Sequence, residues 1–298
     1  MKNKGIIYAI GAYLLWGFLP IYWKVLEQVP PLQILSHRIV WSFFLLAALI
    51  SFRQSWKPIQ AAVFNPRTLL IFIIAAVLLS INWLTYIWGV NSGFIVETSL
   101  GYFINPLVNV LFGVVFLRER LRSTQWIAIA LAGCGVLYLT FALGRLPWIA
   151  LLLAFSFAFY ALVKKTSSLA SLQGLTLETA IMFIPAVAFL LFTDFSGVGA
   201  FTHLDTSTDI LLIFTGLVTA LPLLLFGSAA QKIRLSTLGI LQYLAPTIQF
   251  ILGIAIYHEP FTRATLVGFV MIWLALLFYS MEGYLNYRKT PVAINPSG

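Results

Sequence analysis

Ten apolar runs follow one another with little between them: residues 5–25, 31–52, 68–90, 94–117, 124–142, 147–163, 173–193, 209–228, 236–257 and 262–282. Each is close to the ~20 residues that a helix needs to cross a bilayer. No intervening stretch is long enough to fold as a soluble domain, and the Pro30-Pro31 pair separates the first two runs sharply. Backbone polar groups in hydrocarbon must be satisfied within the spanning segment, so this pattern commits the chain to helices. The expectation is an all-α membrane protein with ten transmembrane helices.

Composition matters for reading the positive charge. The formal charge is +9, yet only 9% of residues are charged and 61% are hydrophobic, against roughly 25% charged in an average soluble domain. The lysines and arginines fall mostly in the short connections, where lipid headgroups and topology account for them, so nucleic acid is not an expected partner. With the N-terminus in the cytoplasm, only Lys24, Arg145 and Arg263 fall outside, and Arg38 falls within the membrane. The connection 194–208 agrees, since it contains Asp194 and Asp205 but no lysine or arginine. Both termini are therefore expected in the cytoplasm.

Further chemistry is excluded by what the sequence lacks. The single cysteine, Cys134, rules out an intramolecular disulfide and a cysteine-based metal site. There is no glycine-rich phosphate loop ending in Gly-Lys-Ser/Thr, no His-Glu-x-x-His motif and no aspartate deep in a span. Neither an enzyme nor a cofactor or metal site is expected.

The stretch from Glu97 to Glu119 organises the rest. It carries a glutamate near its start, two asparagines and a proline, an unfavourable inventory for a helix that only anchors. Pro106, Gly113 and Glu119 recur as Pro246, Gly253 and Glu259, all at an offset of 140 residues, and Tyr138 corresponds to Phe278. That offset spans five segments. Five is odd, so two consecutive five-helix units must lie in the membrane with opposite orientation. The expected units are residues 1–143 and 147–283, followed by a cytoplasmic tail at 284–298. Inverted repeats of this kind underlie many secondary transporters, which use them to build inward-open and outward-open states of similar energy.

Several residues stand out against the apolar background. Glu97, Gly101, Asn105 and Asn109 recur every four positions and form one stripe, which implies a cavity or a neighbouring helix and not lipid. Pro106 and Pro246 each remove a helical N–H, freeing the carbonyls of Tyr102 and Gln242 for a solute or for a neighbouring helix. Arg38, preceded by His37, lies about 10 Å below the outer surface at 1.5 Å per residue. Glu97 lies at a similar depth and is its expected partner, as a static clamp or as a gate. Glu178 occupies the position 140 residues beyond Arg38, with Lys165 as its nearest plausible partner. Glu97, Glu178 and His37 are the groups that could bind a coupling proton. Trp83, Tyr86, Tyr102, Asn105, Asn109, Gln242 and Tyr243 are the candidates for contact with a small-molecule substrate. Arg118-Glu119-Arg120 reads as an ordinary helix end.

The blocks Asn82-Trp-Leu-Thr-Tyr-Ile-Trp-Gly-Val-Asn91, Glu97-Thr-Ser-Leu-Gly-Tyr-Phe-Ile-Asn-Pro-Leu107 and Leu241-Gln-Tyr-Leu-Ala-Pro-Thr247 resemble the RarD-type permeases. So do Glu119-Arg-Leu with Gln125-Trp126, His37-Arg38 and Leu177-Glu-Thr179. Those permeases belong to the EamA branch of the drug/metabolite transporter superfamily. The resemblance covers essentially the whole chain. It implies two inverted EamA repeats, a bacterial inner-membrane location, membrane lipids as surroundings, and export or exchange of small organic metabolites or drugs by alternating access. Position 94, often histidine in that group, is phenylalanine here. The alternative from another class is a non-transporting membrane scaffold or regulatory subunit.

Overall fold

The computed structural model describes residues 2–92, 94–143 and 146–256, and within 266–281 residues 266–268, 270, 271, 273–275, 277–279 and 281. For a few residues inside these helices, Glu97 and Gly253 among them, only the backbone is described. The expected pairing of Arg38 with Glu97, the loop positions Arg145, Glu259 and Arg263, and the tail at 284–298 lie outside the described atoms.

Among the described residues through 256, eleven helices follow in order: α1 (Lys2–Val25), α2 (Pro31–Phe52), α3 (Lys57–Phe64), α4 (Pro66–Asn91), α5 (Ile95–Val115), α6 (Ser123–Leu143), α7 (Trp148–Thr166), α8 (Ser171–Phe195), α9 (Thr206–Lys232), α10 (Leu235–Gln242) and α11 (Leu244–Ala255). Residues 266–281 are helical where described, and no strand occurs among the described residues. Among the described residues eight helical stretches are long and apolar enough to span a bilayer, and shorter apolar helices cover Leu100–Val115 and Leu266–Tyr279. The outward faces are large and apolar, with Ile7, Phe44, Ile71, Phe141, Ile184 and Phe192 exposed. A soluble monomer would not tolerate that much uncovered apolar surface.

Helix ends follow local chemistry. Pro31 stands at the first position of α2, where a missing N–H costs nothing. Asn65 accepts from the amides of Arg67 and Thr68, each at 3.1 Å, and so caps α4. Asp205 caps α9 by accepting from the Thr208 amide at 3.0 Å. The apolar-run reading misses α3, a two-turn helix whose Ile59 and Ala62, three apart, are buried while Lys57 and Gln60 face outward. The ninth run, expected over 236–257, is a helical span in which the α-helical hydrogen-bond pattern is interrupted at one residue, Tyr243, itself in right-handed helical conformation, between α10 and α11. Pro246 cannot donate to the carbonyl of Gln242, and the turn preceding it opens. Pro106, by contrast, sits inside a continuous α5.

Small residues let the helices approach closely, as is usual between membrane helices. A methyl group on Gly216 of α9 would lie 2.5 Å from the Trp41 backbone of α2. One on Gly239 of α10 would lie 2.6 Å from the Pro106 carbonyl oxygen of α5. Gly101 likewise brings α5 against Ala150 and Leu153 of α7. The centre is filled by rings: Tyr13, Trp16, Phe157, Tyr160 and Phe226 meet where α1, α7 and α9 converge. The hydroxyl of Tyr13 is satisfied by the Leu238 carbonyl at 3.0 Å.

Candidate functional site

Arg38 points into the bundle. Its Nε donates to Oγ1 of Thr219 on α9 at 2.9 Å. The guanidinium carbon lies 4.8 Å from the Trp23 ring centre and 4.6 Å from that of Trp83, within the range of cation–π attraction. Tyr86 and Tyr102 are close enough to interact with it electrostatically, and their rings meet edge to face at 5.7 Å. Residues from α1, α2, α4, α5 and α9 thus converge on one charge. Arg38, Trp83 and Tyr102 are half-buried, and Tyr86 is exposed. Thr219 and Trp23 were not among the candidates from sequence. No periodicity within one helix reports what faces it from another.

The remaining candidates form a second group at the contact of α5 with α10. Asn105 donates to the Ala154 carbonyl of α7 at 2.6 Å, and Asn109 donates to Asn105 Oδ1 at 3.1 Å and to Gln242 Oε1 at 2.9 Å. Tyr243 donates to the carbonyl of Phe103 at 3.0 Å. The polar stripe on α5 therefore faces neighbouring helices, and Asn105, Asn109 and Tyr243 are almost fully buried. Asn109 Oδ1 is buried with no partner among the described residues. A buried acceptor in that condition destabilises the packing around it by about 1–3 kcal/mol.

Glu178 is bonded to Lys164, not to Lys165. Lys164 Nζ donates to Oε1 at 2.8 Å, Tyr160 Oη donates to Oε2 at 3.0 Å, and neither charged side chain is exposed by more than 1%. Helical phase explains the correction. Lys164 shares a face with Tyr160 one turn earlier, while Lys165 points about 100° away and donates to the Ile233 carbonyl. Gly174 and Gly227 make room for the Lys164 side chain, since a methyl on either would lie 3.1 Å from it.

His37, in the second turn of α2 and directly before Arg38, is buried and accepts from the Trp41 indole at 3.3 Å. It lines a cavity of about 310 Å³ between α2, α8 and the loop after α8, together with Gln33, Trp41, Asp194 and Thr202. Glu119, read from sequence as an ordinary helix end, holds two helices together. Its carboxylate accepts from the amides of Leu235 at 2.6 Å and Ser236 at 3.0 Å and so caps α10, which follows more than a hundred residues later.

A statistical model of the EamA-like transporter family matches residues 3–141 and again residues 146–281. The chain belongs to the EamA-like transporter family. Within it the chain is of the RarD type. It is 43% identical to Protein RarD of Streptomyces exfoliatus, over 97% of this chain and 92% of that one. Protein RarD of Escherichia coli strain K12 is 42% identical, over 97% of each chain. A Bacillus subtilis protein described as the uncharacterized transporter YojE is 46% identical over 94% of both. A solved crystal structure of a protein only 18% identical superposes with a TM-score of 0.71, covering 94% of this chain and 99% of the other, which shows a shared fold. An EamA-like chain with, among its described residues, eight helices long and apolar enough to cross a membrane is a multi-pass membrane transporter.

Proposed function

We propose that this EamA-like chain is a secondary transporter of the bacterial inner membrane, an exporter or exchanger of small organic metabolites or drugs, which works by alternating access between two inverted five-helix halves. The halves are residues 1–143 and 147–283, with both termini and the tail at 284–298 in the cytoplasm. The observation that carries this reading is that the largest helix contacts recur when each span is exchanged for the one five spans away. α1 packs on α9 as α7 packs on α4, α5 packs on α7 as α11 packs on α1, and α2 packs on α9 as α8 packs on α4. The pairs α2 with α8 and α5 with α10 cross between the halves.

The distribution of lysine and arginine supports the cytoplasmic termini. In that orientation the cap that Glu119 places on α10 closes the cytoplasmic end between the halves, while the Arg38 cluster lies nearer the outer face. The substrate contacts are Trp83, Tyr86 and Tyr102, which retain accessible surface. Asn105, Asn109, Gln242 and Tyr243 form the seam on which the halves move, beside Pro106 and Pro246.

Purified protein in liposomes, screened against amino acids, nucleosides and amphiphilic drugs with and without an imposed pH gradient, tests this. Flux of an organic solute that saturates with concentration is expected. A response to the gradient assigns proton coupling to a group among Glu97, Glu178 and His37, and indifference to it removes that coupling. Absence of flux for every solute leaves a scaffold or regulatory subunit as the reading.

A further inference from the structure

We propose that Arg38 anchors a binding site for a singly charged organic carboxylate with a flat apolar body. The chain itself contains the comparison that points there. Where it buries a charge for structure, at Glu178, it surrounds the carboxylate with an ammonium group and a phenol and leaves no exposed surface. Arg38 stands at the corresponding position of the other half, 140 residues earlier, and is treated differently. Among the described residues no carboxylate lies within ion-pair distance of it. Its Nε is bound by Thr219, and its remaining N–H donors have no partner among the described residues. An arginine left this way inside a bundle presents paired donors that match the two oxygens of a carboxylate.

The surroundings define the rest of the ligand. Trp23 and Trp83 hold the guanidinium in place and supply apolar faces, and they offer it no hydrogen-bond acceptor. Tyr86 and Tyr102 continue the aromatic wall, and an edge-to-face pair of rings readily takes a third ring against it. One cation fits one negative charge. The side chains placed against Arg38, namely Thr219, Trp23, Trp83, Tyr86 and Tyr102, include no second cation. A phosphate or a dicarboxylate would therefore bring a second charge that this cluster does not match. Fixed orientation of the guanidinium by Thr219 also makes the site selective for the planar acid group.

The proposal deepens the transport reading by naming the cargo, but binding is measured separately from flux. Three probes of one shape serve: 3-phenylpropionate, 3-phenylpropionamide and 3-phenylpropylammonium. They are titrated into the purified protein in detergent, with indole fluorescence and calorimetry as readouts. The carboxylate is expected to bind at least about ten-fold more tightly than the amide, as charge-assisted hydrogen bonds require, and the ammonium compound not at all. Arg38→Gln should erase the difference between acid and amide, and Thr219→Val should narrow it. If Arg38→Gln fails to fold, the wild-type series together with Thr219→Val decides.

Equal binding of acid and amide, preference for the ammonium compound, or no binding of any probe overturns the site. Binding of the acid only after Glu97→Gln also overturns it, since the chain's own acid would then occupy the guanidinium. Carboxylate binding without flux in liposomes leaves the site standing and removes the transport reading. Flux of neutral or cationic solutes with no carboxylate preference does the reverse.

Discussion

Tyr243 donates its hydroxyl hydrogen bond to the carbonyl of Phe103, 3.0 Å away and 140 residues earlier in the chain. That separation is also the offset between Pro106 and Pro246. Two positions related by a repeat touch each other only where the relating axis passes between them. A two-fold relating the halves, as proposed above, would therefore pass beside this bond at the contact of α5 with α10.

Removing the hydroxyl tests how much the seam depends on that bond. Tyr243→Phe leaves the ring in place and removes one hydrogen bond across the seam, which should lower stability by about 0.5–1.5 kcal/mol. Unfolding by denaturant titration in detergent measures it. An unchanged midpoint would mean that the carbonyl finds another donor within its own helix.

The buried pair between Lys164 and Glu178 makes a sharper forecast. Lys164→Met leaves a carboxylate uncompensated in the core and should cost about 3–5 kcal/mol. Replacing the group together, as Lys164→Met with Glu178→Leu and Tyr160→Phe, should recover most of that loss. Comparison of the two variants by thermal unfolding checks both. A triple variant no better than the single one would show that the cost is steric.

This pair also shows where the sequence was and was not legible. Glu178 was identified because a carboxylate inside an apolar run is conspicuous, but its partner was misassigned by one residue. Two adjacent lysines lie about 100° apart on a helix, and the phase that decides between them is set by packing on α8. Eight apolar helices and the proline pair are legible in the sequence because apolar length and the lack of an N–H act locally. The Arg38 cluster was readable only in part. Trp83, Tyr86 and Tyr102 were chosen for being aromatic near polar residues, whereas Thr219 lies 181 residues from Arg38 and nothing in its own helix marks it. The cap of Glu119 on α10 was missed for the same reason, since the helix it caps is remote in the chain.

Gly216 and Gly133 should respond in opposite directions to the same change. Gly216→Ala would press a methyl against the Trp41 backbone at 2.5 Å, and forcing α2 and α9 apart should cost about 1–3 kcal/mol. Around Gly133 nothing lies within 4 Å, so Gly133→Ala should stabilise α6 by about 0.5–1 kcal/mol. Thermal midpoints of the two variants, measured side by side in one detergent, give the comparison.

The cap on α9 supplies a dependence on pH. Hydrogen bonds from the Thr208 hydroxyl and amide hold the Asp205 carboxyl below its ordinary value. A depressed carboxyl contributes stability above its unfolded pKa and loses that contribution as pH falls through its folded one. Wild type should therefore exceed Asp205→Asn in stability at neutral pH, and the gap should close as the pH is taken below the carboxylate range. A gap that persists in acid would assign the effect to the geometry of the cap and not to its charge.

The interruption at Tyr243 within the ninth apolar run has a mechanical consequence. α10 packs chiefly on α5, and α11 chiefly on α1. The junction is held by the Tyr243 amide on the Ile240 carbonyl at 3.3 Å and by the Thr247 amide on the Tyr243 carbonyl at 3.1 Å, while Pro246 leaves the Gln242 carbonyl without its helical donor. One missing bond softens the helix at that turn, so a displacement of α1 relative to α5 would bend it there first.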